Sequence, residues 1–140
     1  MDTKDHLLDE ALRLFARRGV DAVGVQEVVD TAGVTKPTLY HHFGSKEGLV
    51  KALIGRGFSQ LGAMLDALGS YDRDLPWFLE RQAGVWIQAV AVQGDWFRVE
   101  LSLTFLSADN PAAALVRPGV AALQNRMTCF QQKHNRPFAS

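Results

Sequence analysis

The chain has 140 residues, 47% of them hydrophobic, and its 15 Lys and Arg residues balance its 15 Asp and Glu residues. This size allows a folded core, whereas zero net charge excludes the protein-wide basic field that attracts many nucleic-acid-binding proteins to their partner. A lone Cys129 excludes an intramolecular disulfide, and no uncharged run is long enough to cross a bilayer. Because the first residues lack a signal-peptide pattern, we expect a cytoplasmic protein without membrane contact.

Three helices are predicted in the first third of the chain. Apolar residues recur at steps of three and four from Asp5 to Arg18, which predicts the first helix. The same periodicity from Val25 to Ala32 predicts a second helix, and Gly33 can end it. Thr35 can cap a third helix that tolerates Pro37 in its first turn, where a missing N–H costs little.

The fourth predicted helix is long and rich in glycine. It runs from the capping residue Ser45 to Leu68. Each interior glycine weakens a helix by about 1 kcal/mol relative to alanine, so this helix needs neighbours to pack against. The glycines are Gly48, Gly55, Gly57 and Gly62.

Three more helices are predicted after a polar link at Ser70 to Asp74. They run from Pro76 to about Val92, from the capping residue Asp95 to about Ala108, and from Ala112 to about His134, with a disturbance at Pro118-Gly119. Few segments alternate with the period of a strand. The chain is therefore predicted to be all-α.

The segment Val25 to Phe43 has the order of a helix-turn-helix, in which the second helix enters the major groove of DNA. At about 100° per residue, Leu39 and Phe43 fall on one side of the third helix, which we expect to face the protein. Opposite them lie Pro37, Thr38 and His41, with Tyr40 and His42 on the flanks.

The stretch Thr35 to Lys46 contains no carboxylate, although acids are as frequent as bases in the whole chain. The hydroxyl and methyl groups of Thr38 suit base edges, whereas Tyr40, His42 and Lys46 carry hydrogen-bond donors suited to phosphate oxygens. The absence of carboxylates from this stretch indicates a surface that faces an anion.

The residues "AGVTKPTLYHHFGSKEGLV", at positions 32–50, resemble the recognition segment of the TetR family of one-component repressors. The resemblance extends back through "LLDEALRLFARRGVDAVGVQEVV" and covers about the first third of the chain. It implies a three-helix DNA-binding domain at residues 1–48. The long fourth helix would join it to a helical ligand-binding and dimerisation domain at residues 49–140, which is shorter at its C-terminus than is usual in the family.

The resemblance also implies a function and its partners. We expect a ligand-responsive repressor that binds a palindromic operator in double-stranded DNA as a homodimer and responds to a small apolar or aromatic effector. Carried over by position, the base contacts are Lys36, Pro37 and Thr38, the phosphate contacts are Tyr40, His42 and Lys46, and Gln26 is a polar contact at the start of the second helix. For His41, as for His42, we expect contact with phosphate; the alternative is a solvated helix face. Gly24 and Val25 replace the Ser or Thr common there, which removes a helix cap and a phosphate contact.

The second half of the chain is rich in aromatic rings, which either form an ordinary core or enclose an effector. For the effector site we name Trp86, Phe97 and Phe105 as lining residues, with Gln88 and Arg98 as polar contacts.

Other chemistries are less well supported. Adjacent helical residues such as His41 and His42 point about 100° apart and do not chelate a metal, and Cys129 has no evident paired base. We therefore expect no enzyme, metal or cofactor. The alternative function is a helical module that binds a small molecule or a protein and has kept the fold but lost DNA affinity, which the neutral charge would suit.

Overall fold

The computed structural model of the chain describes residues 2–69, 74–106 and 109–134, with side chains as far as residue 126. The side chain of Cys129 and residues 70–73 of the predicted link lie outside this description. The described residues form seven α-helices and one short 3-10 helix, and no strand occurs among them, which confirms the predicted all-α class. The helices are α1 (Thr3–Arg18), α2 (Val25–Ala32), α3 (Lys36–Phe43), α4 (Lys46–Asp66), α5 (Leu75–Val92), α6 (Gly94–Thr104), the 3-10 helix (Pro111–Leu115) and α7 (Arg117–His134).

The helices α1 to α3 and the first turn of α4, residues 3–50, form a tightly packed N-terminal unit. Its core consists of side chains that are at most 9% exposed, contributed by every helix of the unit. A fully buried Leu, Ile, Val or Phe side chain stabilises a fold by roughly 1.5–3 kcal/mol relative to an exposed one. The largest core residues are Leu7, Leu8, Phe15, Val23, Val28, Val29, Leu39, Leu49 and Val50.

The turns of this unit depend on local chemistry. Gly33 adopts a left-handed backbone conformation with φ 67°, as expected for the residue that ends a helix, and Val34 N–H donates to the Val29 carbonyl at 3.0 Å. The Ser45 hydroxyl accepts a hydrogen bond from Gly48 N–H at 3.0 Å, which confirms the predicted cap of α4. Thr35 occupies the predicted N-cap position of α3, but its hydroxyl bonds the Thr38 hydroxyl instead of a backbone N–H.

The glycines of α4 explain how this helix persists. A methyl group at Gly48 would overlap the Phe43 carbonyl, and one at Gly57 would overlap the indole of Trp96 on α6. Likewise, a methyl group at Gly119 of α7 would overlap the ring of Phe58 on α4. Three close approaches therefore hold α4 against its neighbours, whereas Gly55 faces open space. This packing is the support that the glycine content of α4 predicted it would need.

Two predicted helix ends, one predicted helix cap and the predicted place of a helix disturbance were wrong. The helix α4 ends at Asp66 rather than Leu68, and α6 ends at Thr104 rather than near Ala108, with Gln93 and not Asp95 at its N-cap. The disturbance expected at Pro118 falls earlier, between the 3-10 helix and α7. Proline lies in the first turn of α7, where its missing N–H has no intrahelical acceptor to lose.

The helix α5 packs poorly compared with the N-terminal unit. Of its 18 residues only Phe78 and Ala89 are buried. Large apolar side chains instead face outward on α5, α6 and the residue that ends α6. They are Leu75, Trp77, Leu79, Ile87, Val90, Val92, Leu101 and Phe105. Within the described residues, no helix is both long and apolar enough to cross a membrane.

Candidate nucleic-acid interface

The helix α3 is fixed to the protein by one side. Leu39 is fully buried and Phe43 packs partly buried against the same core, which confirms the predicted anchoring side. The other side carries side chains that reach solvent, with Tyr40 45% exposed and Lys36, Pro37 and His41 also exposed. A helix held in this way presents one polar surface in a fixed orientation, as recognition in a DNA groove requires.

Three of the predicted contact residues are half-buried. They are Thr38, His42 and Lys46. The Thr38 hydroxyl lies 2.9 Å from the Thr35 hydroxyl. A hydroxyl has one donor and two acceptor positions, so this bond orients Thr38 and leaves it able to bond a further group. The three-residue spacing of the two threonines is the signal in the sequence that could indicate this pair.

The positive charges of this surface are not neutralised internally. Among the residues that the structure describes, neither Lys36 nor Lys46 forms an ion pair. The carboxylates of the neighbouring α2 are engaged elsewhere, since Glu27 pairs with Arg18 and Asp30 accepts from the Gln26 amide at 2.7 Å. The surface around α3 therefore keeps its cations available for an external anion.

The start of α2 differs from the rest of this surface. Gly24 occupies the N-cap position, and no side chain caps the helix, as the sequence predicted. The exposed Gln26 donates one amide hydrogen to Asp30, and this bond leaves its second amide hydrogen and its carbonyl oxygen able to contact DNA. The start of α4 is better prepared, because its capped N-terminus offers backbone N–H groups beside Lys46.

The five predicted effector contacts are not drawn together around a cavity in the described residues. Trp86 and Phe97 are half-buried, whereas Gln88 and Arg98 are exposed and Phe105 is 83% exposed. A groove of about 770 Å³ lies elsewhere, between α1, α4 and the corner joining α5 to α6. A second hollow of about 380 Å³ lies between the end of α6, the 3-10 helix and α7. None of the five residues lines either space, and their role stays a prediction.

The two adjacent histidines pack on each other, with ring centroids 5.4 Å apart in an edge-to-face arrangement. His42 also lies beside Phe43, with 6.1 Å between the centroids. Within the described part of the chain, no three His, Cys, Asp or Glu side chains are grouped as metal ligands. The two histidines therefore belong to the polar surface of α3, beside the anchoring ring of Phe43.

Ion pairs that the sequence analysis did not predict join α1 to α4. Arg56 donates to Asp9 at 2.6 Å and lies 3.8 Å from Asp5. These residues are 47 and 51 positions apart, so no local spacing could have indicated the contact. The pair ties the long fourth helix to the first helix of the N-terminal unit.

Comparison with known proteins identifies this N-terminal unit. Residues 7–53 match the family model described as bacterial regulatory proteins, tetR family. A stretch of 55 residues is 47% identical to the HTH-type transcriptional repressor KstR2 of Rhodococcus jostii, and a stretch of 63 residues is 36% identical to the HTH-type transcriptional regulator AcrR of Shigella flexneri. These matches cover 39% and 45% of this chain but only 26% and 29% of the relatives.

Solved structures resemble a much larger part of the chain. A putative tetR family transcription regulator from Shewanella sp. PV-4 matches 95% of this chain and 70% of its own, with a TM-score of 0.77 at 19% identity. The TetR family transcriptional regulator PfmR from Thermus thermophilus matches 98% of this chain and 76% of its own, with a TM-score of 0.65 at 28% identity. The fold beyond residue 53 is therefore shared with these structures, although the curated relatives match only 39% to 45% of the chain in sequence.

Proposed function

Because this chain belongs to the tetR family of bacterial regulatory proteins, we propose that it is a transcriptional repressor that binds double-stranded DNA through α3. The observation that carries this proposal is the pairing of a fully buried anchor, Leu39, with an outward surface of α3 that has no carboxylate. A rigid helix that carries no carboxylate, with Lys36 at its start and Lys46 just beyond its end, is suited to a polyanionic groove.

We assign roles to the residues by what each side chain can contact. Thr38 reads base edges, with Thr35 holding its hydroxyl in place. The exposed Lys36 and Pro37 contact bases beside it. The phosphate contacts are Tyr40, His41, His42 and Lys46, together with Gln26 through the amide hydrogen that does not bond Asp30. Since the whole chain is neutral, these few contacts supply the electrostatic part of the affinity.

We further propose that two copies bind a palindromic operator and that a small apolar or aromatic effector changes the spacing of their α3 helices. A two-fold dimer presents the same helix twice, so the operator mirrors its symmetry. The half-buried rings of Trp86 and Phe97 on α5 and α6 are the proposed effector contacts. Quenching of tryptophan fluorescence by aromatic probes, and its loss in Phe97→Ala, would test this assignment.

The DNA-binding proposal is tested with duplexes taken from upstream of the protein's own gene and with single-base variants of any duplex that binds. Tyr40→Ala should weaken binding to every duplex by a similar factor, because it removes a phosphate contact. Thr38→Ala should weaken binding mainly to the preferred sequence, by about 1–3 kcal/mol at particular base pairs.

Fluorescence anisotropy at fixed salt measures both effects. An equal loss across all duplexes for Thr38→Ala would remove its assigned role in reading bases. A protein that binds none of the duplexes in a salt-sensitive way would instead be the alternative, a helical binding module that retains the fold.

A further inference from the structure

The helix α1 holds α2 by polar contacts at both ends of α2. At the start of α2, the Arg18 guanidinium of α1 forms an ion pair with Glu27 and donates to the Ala22 carbonyl at 3.4 Å. At the end of α2, the Nε2 atom of His6 on α1 lies 3.2 Å from the Ala32 carbonyl oxygen. These contacts add directional bonds to the apolar core in which both helices take part.

The two ends of α2 are held differently. The side chains of Arg18 and Glu27 are 52% and 35% exposed, and water weakens an ion pair at such a position. His6 is half-buried and Ala32 is buried, so the bond between them is partly shielded from solvent. A shielded hydrogen bond is costly to lose, because the group left without a partner cannot easily bond water instead. The contact at the end of α2 therefore defines the position of this helix better than the contact at its start.

The carbonyl that His6 bonds belongs to the last residue of α2. A helix leaves its last four carbonyls without an intrahelical partner. The turn supplies one such partner through its own backbone, since Val34 N–H donates to the Val29 carbonyl at 3.0 Å. The Ala32 carbonyl can only accept, so His6 Nε2 carries the hydrogen of its bond. His6 thus completes the end of α2 from outside the helix-turn-helix.

The helix α3 begins at Lys36, directly after this turn. Its buried Leu39 holds α3 against the core. A hydrophobic contact is non-directional, so Leu39 keeps α3 close to the core without defining the angle between α3 and its neighbours. A hydrogen bond depends on angle as well as distance. The bond from His6 to the end of α2 therefore restrains the direction in which the chain enters α3.

We infer that His6 is a positioning residue for DNA reading: by donating to the Ala32 carbonyl it fixes the turn between α2 and α3, and with it the angle at which α3 meets the major groove. The inference rests on the proposed function, because this angle matters only to a protein that reads DNA through α3. When the reading orientation is populated for only a fraction of the time, affinity for the operator falls by that fraction. Phosphate contacts with unrelated DNA carry no sequence information and depend much less on this angle.

The test compares His6→Leu, which removes the donor, with His6→Gln, whose amide Nε2 lies the same number of bonds from the backbone and also donates. Fluorescence anisotropy measures affinity for the duplex from upstream of the protein's own gene that binds most tightly, and for a scrambled duplex of the same composition. His6→Leu should weaken binding to the first duplex about fivefold, which is the change that one hydrogen bond of ordinary strength supports. Binding to the scrambled duplex should stay as in wild type, and His6→Gln should restore the wild-type ratio of the two affinities.

The matched control is Asp74→Ala, which removes a hydrogen bond of 3.1 Å at the start of α5, outside the helix-turn-helix. It should leave both affinities unchanged, although it also removes a bond that stabilises the fold. All affinities are measured at a temperature at which circular dichroism shows every variant to be fully folded. His6→Ala takes the place of His6→Leu if the leucine variant does not fold.

Amide hydrogen exchange followed by NMR tests the same bond without DNA. The Val34 N–H closes the turn, and it should exchange about fivefold faster in His6→Leu because the turn opens more often. Its exchange rate should be unchanged in His6→Gln and in Asp74→Ala. This measurement separates the inference from the proposed function. A protein that binds neither duplex overturns the repressor proposal, whereas the Val34 exchange rate still reports whether His6 holds the turn.

Several results would overturn the inference. Equal losses of affinity for the two duplexes in His6→Leu, or the same loss in Asp74→Ala, would show that the bond only stabilises the fold. A His6→Gln variant that behaves like His6→Leu would show that the donated hydrogen is not what matters. An unchanged Val34 exchange rate in His6→Leu would show that His6 does not hold the turn. If neither His6→Leu nor His6→Ala folds, His6 supports the whole fold and not the angle of α3.

Discussion

The N-terminal unit and the helix α5 use their apolar residues in opposite ways. In the N-terminal unit, residues such as Leu7, Val23 and Leu39 are fully buried, and Tyr40 is the one large apolar side chain exposed among residues 3–50. In α5, six large apolar side chains are exposed and only Phe78 and Ala89 are buried. The contrast indicates that the N-terminal unit is built to hold α3 in one orientation, whereas α5 carries surface that other groups can cover.

The largest expected effect is a loss of stability when a buried aromatic residue of the N-terminal unit is replaced, compared with an exposed one in the second part of the chain. Phe15 in α1 is 2% exposed, so Phe15→Ala should reduce the free energy of unfolding by about 3–5 kcal/mol. Phe105 at the end of α6 is 83% exposed, and Phe105→Ala should change it by less than about 0.5 kcal/mol. Urea denaturation followed by circular dichroism measures both. Similar losses of stability for the two variants would contradict the contrast between the buried apolar residues of the N-terminal unit and the exposed ones that follow it.

The packing of α4 against α6 is tested by substituting two glycines on α4. Gly57→Ala should destabilise the fold by about 1–3 kcal/mol, because its methyl group has no room beside the Trp96 indole. Gly55→Ala, one half-turn away in open space, should stabilise the helix by up to about 1 kcal/mol. The difference between their denaturation midpoints is the readout. If Gly57→Ala is also stabilising, Trp96 does not pack on α4 as described.

A smaller effect compares the helix caps of the two halves. Ser45 caps α4 and Asp74 caps α5 through equivalent hydrogen bonds, at 3.0 and 3.1 Å. Replacing either residue with alanine should cost about 1 kcal/mol of stability. Only Ser45→Ala should also weaken DNA binding, since it disturbs the helix start beside Lys46. DNA affinity reduced equally by Asp74→Ala would show that the cap acts through global stability.

Local signals in the sequence were sufficient for the elements of the N-terminal unit. Val25 to Ala32 was predicted as the second helix and forms α2, because Gly33 ends the helix by its own backbone conformation. The cap at Ser45 and the buried side of α3 were predicted for similar reasons, since capping and helical periodicity depend on neighbours within one turn.

The features that the sequence did not reveal depend on distant residues. The contact of Gly57 with Trp96 and the ion pair of Arg56 with Asp9 join positions about 40 residues or more apart. From the sequence, the aromatic residues of the second half of the chain could either form a core or enclose an effector. Burial in the structure shows which of them are core residues: Trp96 is 3% exposed and belongs to the core, whereas Phe105 faces solvent. The apolar character of a residue does not by itself predict whether its helix face packs against another helix.

The central claim is that Lys46 at the start of α4 contacts a DNA phosphate, whereas Arg81 of α5 does not. The most direct test is the slope of log affinity against log salt for the operator duplex. Lys46→Ala should make the slope less steep by about 0.9 for each phosphate that is no longer neutralised. Arg81→Ala, which removes a cation lying 4.9 Å over the Trp77 ring on α5, should leave it unchanged. Equal slopes for wild type and Lys46→Ala, or a change with Arg81→Ala, would contradict the account.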